Sequence, residues 1–122
     1  MITISLDEGY IFDILSVYEI KLTKNPNHTI LLENIKRLQE EIISQIGDEK
    51  FKEIKKSNEY KELLEANLVT FELVDLAKES EGLAKQVDAS NYERYLRKSN
   101  LQKKFFNNSM IEVKIGYNKP HN

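Results

Sequence analysis

A chain of 122 residues, 40% hydrophobic and 31% charged, has the size and make-up of one folded domain rather than of a disordered segment. It has no cysteine, which excludes disulfides, thiolate metal ligands and a thiol nucleophile and is compatible with a cytoplasmic location. The formal net charge of −2 hides a split: residues 1–90 carry 11 Lys and Arg against 18 Asp and Glu, whereas residues 91–122 carry 7 against 2.

No apolar run reaches membrane-spanning length, and the opening M-I-T-I-S-L-D-E lacks a basic leader, so no membrane association and no processing are expected. Four Gly and two Pro leave room for long uninterrupted elements. The basic C-terminal part is expected to dock on the acidic helices before it. A polyanion partner would also attract it, but the internal reading is favoured.

Met1–Ser5 alternates weakly and reads as a short strand. Ser5 and Glu8 have the form of a capping box, so a first helix is expected from there to Lys24, with Ile11, Ile14, Leu15, Tyr18 and Leu22 on its buried face. Gly9 sits uncomfortably in its first turn, and Asn25-Pro26-Asn27 closes it. A second helix covers Thr29–Ile46, its buried side lined by Leu31, Ile35, Leu38, Ile42 and Ile46, with Gly47 as C-cap. The turn between these helices is short, so they form an antiparallel hairpin.

Asp48–Ser80 reads as helical throughout, with a bend or fraying at Ser57-Asn58. From Leu63 on it is apolar on two sides, Leu64, Asn67, Phe71, Val74 and Asp75 on one and Val69, Leu73 and Leu76 on the other. Such a helix is central in the fold or shared with a partner subunit. After a turn at Gly82, Ser90 with Glu93 forms a second capping-box pattern that starts a helix ending at Asn107-Asn108-Ser109. Met110–Tyr117 alternates cleanly and pairs naturally with Met1–Ser5. The expected fold is therefore mainly α: an antiparallel bundle of about four helices with a small two-stranded β ribbon made by the terminal segments. Residues 1–122 form one helical domain, with 118–122 a loose tail.

The last helix carries the functional interest. At about 100° per residue, Asn91, Arg94, Lys98 and Gln102 share the arc of Tyr95, Leu101, Phe105 and Phe106, while Arg97, Asn100 and Lys104 face the other way. A cation on the apolar side of a helix must meet an anion, either a protein carboxylate or a ligand. Asn91, Arg94 and Lys98 present an amide, a bidentate fork and a point cation toward one anion-sized space, and Glu19 and Lys21 stand at a groove edge on the first helix. These five are the candidate ligand-binding residues for a small carboxylate or phosphate. The competing reading neutralises the cations internally through Asp75, Glu72 or Glu19, with Asp75 the preferred partner of Arg94 and Asn67 a polar residue setting register.

No catalytic residue, metal set or cofactor motif is present. His28 falls in the inter-helix turn, where it caps or decorates, and His121 in the tail; neither has carboxylates at metal-ligand spacing. There is no phosphate-binding or dinucleotide glycine signature. Nucleic acid is disfavoured because Arg94 and Lys98 do not share a face with Arg97 and Lys104, and Glu33, Glu40 and Glu41 surround Lys36 and Arg37.

The opening I-S-L-D-E-G-Y-I-F-D-I-L-S-V-Y-E-I-K-L, with Asp13, Glu19 and Lys21, then Asn67, Asp75, Asn91, Arg94 and Lys98 and the Glu112…Lys114…Tyr117 tail, resembles an uncharacterised domain-of-unknown-function family of short, mostly helical bacterial and phage proteins. That resemblance implies a compact helical fold, draws attention to Lys21, Asn91, Arg94 and Lys98, and assigns no reaction. The leading expectation is a non-catalytic, self-associating helical module, a homodimer by default because of the two-sided third helix. The alternative is a small carboxylate- or phosphate-binding protein or enzyme using inward-facing Arg94 and Lys98.

Overall fold

The computed structural model describes residues 2–78 and 82–110, and within them the chain forms five α-helices: α1 Glu8–Lys24, α2 Thr29–Ile46, α3 Asp48–Lys56, α4 Asn58–Ala77 and α5 Ala84–Phe106. Helices α1, α4 and α5 pack on one another, and α2 and α3 extend the core beyond α1 and α4. Phe12 and Leu15 of α1, Ile35 and Ile42 of α2, Phe51 and Ile54 of α3, Tyr60 and Leu63 of α4, and Leu101 of α5 make the shared apolar centre. Phe12 anchors it, stacking on the Phe51 ring at 6.2 Å and meeting Tyr60 edge-on at the same separation.

The helix ends follow local chemistry. His28 caps α2, its Nδ1 accepting the Leu31 N–H at 3.1 Å. Gly47 takes φ +91°, the backbone conformation that lets one residue end α2 and admit α3 directly. Ser57 turns what reads as one continuous helix into two: its hydroxyl accepts the Tyr60 N–H at 3.1 Å and donates to the Ile54 carbonyl at 2.6 Å. One side chain thus serves orphan groups at both broken ends. Asn107, in the left-handed region at φ 56°, ends α5 where expected.

Several expectations are corrected. The described residues contain no β-strand: residues 2–5 are irregular and exposed, so the terminal ribbon is absent, and its other half, together with the 118–122 tail, lies outside the described residues. The described residues form five helices rather than about four, because Ser57 divides the third. Neither capping box forms. The N-cap of α1 is Asp7, not Ser5, and α5 begins a turn and a half before Ser90, which is buried and hydrogen-bonded to the Thr70 hydroxyl on α4. The long helix buries Tyr60, Leu63, Ala66, Asn67 and Thr70, leaving Val69, Val74, Asp75 and Leu76 exposed.

Candidate functional site: a charged seam between three helices

The seam where α1 meets α4 and α5 is built from small and polar residues. Gly9, Phe12, Asp13, Ser16 and Ile20 form the buried stripe of α1 at helical spacing. Gly9 lets the helices touch: a Cβ there would stand 2.7 Å from the Lys98 carbonyl oxygen and 3.2 Å from Gln102 Oε1. The Gly9 N–H, an orphan donor of the first turn, reaches across to Gln102 Oε1 at 2.6 Å. Gln102 Nε2 donates in turn to Glu8 and to Asn108, both at 2.9 Å.

One turn along, Asp13 is the hub. Its Oδ1 accepts from Asn67 Nδ2 at 2.8 Å, and that amide also donates to Ser16 Oγ. Its Oδ2 accepts from Arg94 Nη2 at 3.3 Å and lies 3.9 Å from Lys98 Nζ. Lys98 Nζ also stands 4.8 Å from the centre of the Tyr10 ring, whose face favours a cation. Arg94 Nη1 donates to Asn91 Oδ1 at 3.2 Å. The side chains of Asp13 and Lys98 are 8% and 5% exposed, while Arg94 keeps 28% at the outer edge. Two polar atoms here, Asn67 Oδ1 and Arg94 Nε, are buried without a hydrogen-bond partner. Such atoms are rare inside folded chains, because an unmet polar group in low dielectric costs about 1–3 kcal/mol.

The structure therefore brings Asn91, Arg94 and Lys98 together as the helical arc implied, and adds Asn67. It does not bring in the other two candidates. Glu19, two turns down α1, belongs to a separate cluster, where it is ion-paired to Lys55 and accepts the Tyr60 hydroxyl at 2.8 Å. Burial, and after it the charge of Glu19 and the hydrogen bond to it, push the Tyr60 phenol well above its ordinary range. Lys21 is exposed, its ammonium 6.0 Å from the Tyr18 ring centre. Asp75 is not the partner of Arg94: it sits on the surface beside Lys78, at 3.6 Å, and Asp13 holds the position assigned to it. Helical periodicity put Gln102 on the inward arc without giving it a role, and composition and periodicity alone did not single out Asp13 or Ser16. The available signal was their spacing with Gly9, since small and polar residues one turn apart mark a close helix contact.

Two other cations of α5 are engaged outward. Arg97 bridges Glu62 at 3.0 Å and Glu93 at 2.6 Å, and Lys104 lies 3.8 Å from Glu59. Among the described residues no group of three or more His, Cys, Asp or Glu is placed to hold a metal ion, and no helix is long and apolar enough to cross a membrane. Comparison of the chain with family models, curated proteins and solved structures finds no match, so the roles of these residues rest on their geometry.

Proposed function

We propose that this protein binds a small carboxylate or phosphate at the outer edge of the α1–α4–α5 seam, with Arg94 as the principal contact and Asn91 and Lys98 beside it. The state of the Arg94 guanidinium carries this reading. It is held from within by one donor to Asp13 and one to Asn91, its Nε–H is unspent, and more than a quarter of the side chain meets solvent. Its contact with Asp13 is single and, at 3.3 Å, longer than the 2.7–2.9 Å typical of a charge-assisted hydrogen bond. A small rotation toward an incoming anion therefore sacrifices little. Ordering of the long side chain is already met in the free protein, which removes part of the usual cost of binding.

Titration calorimetry with inorganic phosphate and with citrate tests this. Removing Arg94 leaves Asp13 beside Lys98 at 3.9 Å, whereas removing Asp13 as well would take that carboxylate from a buried ammonium, so the decisive variant is R94Q, which keeps an amide for hydrogen bonding. The wild type is expected to take up one of the two anions and R94Q neither, with circular dichroism unchanged. Absence of binding by the wild type, or equal binding by R94Q, overturns the proposal.

A further inference from the structure

The opposite face of α5 carries a second feature. Between α4 and α5, on the side turned away from the charged seam, lies a groove of about 690 Å³. On α4 it is lined by Glu62, Glu65, Ala66, Val69 and Leu73, a stripe at the spacing of one helical face. On α5 the matching stripe is Gln86, Ala89, Ser90, Glu93 and Arg97. Each runs over twelve residues, or roughly 16 Å at helical rise, enough to seat about three turns of another helix. Ala66, Ala89 and Ser90 make the waist small, and Val69, 45% exposed, offers apolar surface that nothing in the described chain covers.

Charge selects the occupant. Three carboxylates, Glu62, Glu65 and Glu93, stand at one end of the groove against one cation, and Arg97 is already bridged between Glu62 and Glu93. That end carries a formal −2, while the Leu73 and Gln86 end is uncharged. In a two-fold contact a second copy seated parallel would set this acidic end against itself, and one seated antiparallel would offer it only the uncharged Leu73 and Gln86 end, so neither brings a cation to it. Nucleic acid and small anions are repelled by like charge. We infer that the α4–α5 groove is a docking site for an amphipathic helix of another protein, one whose apolar stripe covers Val69 and Leu73 and whose Lys or Arg residues meet Glu62, Glu65 and Glu93. The mode is helix-in-groove recognition, with apolar anchors supplying affinity and the rim charges supplying selection.

The test uses two fluorophore-labelled synthetic peptides in a heptad pattern, one of leucine and lysine and one of leucine and glutamate, followed by fluorescence anisotropy on the full chain. The leucine–lysine peptide is expected to bind, with affinity falling as salt rises, and the leucine–glutamate peptide is not. E65K should weaken binding about tenfold, since it replaces an attraction by a repulsion at the rim. V69E separates seating from general attraction to an acidic surface. A helix lying on the groove floor loses its binding to V69E, whereas non-specific attraction grows with the added negative charge. The R94Q variant, altered on the side of α5 turned toward the charged seam, should bind the peptide as the wild type does. Equal binding of both peptides, failure of the lysine peptide to bind, or retained binding by V69E overturns the inference. So does self-association of the free chain in sedimentation velocity that V69E abolishes, because that outcome puts a second copy in the groove.

Discussion

Replacing Gly9 by alanine tests the packing that creates the charged seam. Glycine in a helix normally disfavours it by up to about 1 kcal/mol relative to alanine, and less in a first turn, so local propensity alone predicts that G9A stabilises the protein. The tertiary contact predicts the reverse. The new Cβ would stand 2.7 Å from the Lys98 carbonyl oxygen, a backbone atom that cannot rotate aside, and an ordinary contact needs roughly 0.7 Å more. That separation must come from moving α1 off α5, which lengthens the Gly9–Gln102 hydrogen bond and opens the packing around Leu101, which is fully buried. Overpacking of this kind costs about 1–3 kcal/mol, leaving a net loss of about 1–2 kcal/mol after the propensity gain. Thermal unfolding followed by helical circular dichroism should show a lower Tm, by about 4–8 °C for each kcal/mol lost in a small domain. An unchanged or raised Tm would mean that α1 and α5 do not approach as closely as the structure has them, and the geometry around Asp13 would fall with it.

Two further outcomes are expected. S57A removes the hydroxyl that caps α4 and should lower stability in urea by about 1 kcal/mol, with S57D recovering part of it; equal midpoints for all three would deny the cap its role. The raised Tyr60 pKa makes stability depend on alkaline pH: the unfolded chain releases that proton near pH 10 while the folded chain retains it, so the contribution is complete below about pH 10 and is lost as pH rises further. Y60F, which starts from a lower baseline through loss of the Glu19 hydrogen bond, should flatten that decline, and parallel declines in the two proteins would contradict the assignment.

Much of the helical framework was readable from residue order. The α2 boundaries, the glycine stop at Gly47, the asparagine stop at Asn107 and the Asn91–Arg94–Lys98 arc all follow from periodicity and end chemistry that act within a turn or two. The misreadings share one cause. Ser5 with Glu8 and Ser90 with Glu93 satisfy a capping pattern, but Ser90 is better placed meeting Thr70 across the α4–α5 contact, and a four-residue pattern contains nothing of that contact. On α1, the large apolar side chains of Ile11, Tyr18 and Leu22 mask the tighter stripe of Gly9, Asp13 and Ser16, because apolar size marks burial more loudly than small polar residues do.

What residue order determined by itself is a helical chain whose last helix turns cations inward, since the period of a helix and the chemistry of its ends are local and the side chains are known. Which carboxylate meets those cations was not contained in it. Asp75 and Asp13 are chemically alike, and only the packing of α1 against α5, made possible by the missing side chain at Gly9, brings Asp13 to Arg94 and leaves Asp75 at the surface. Charge pairing depends on distances between helices rather than along them, and those distances are settled by how the surfaces fit.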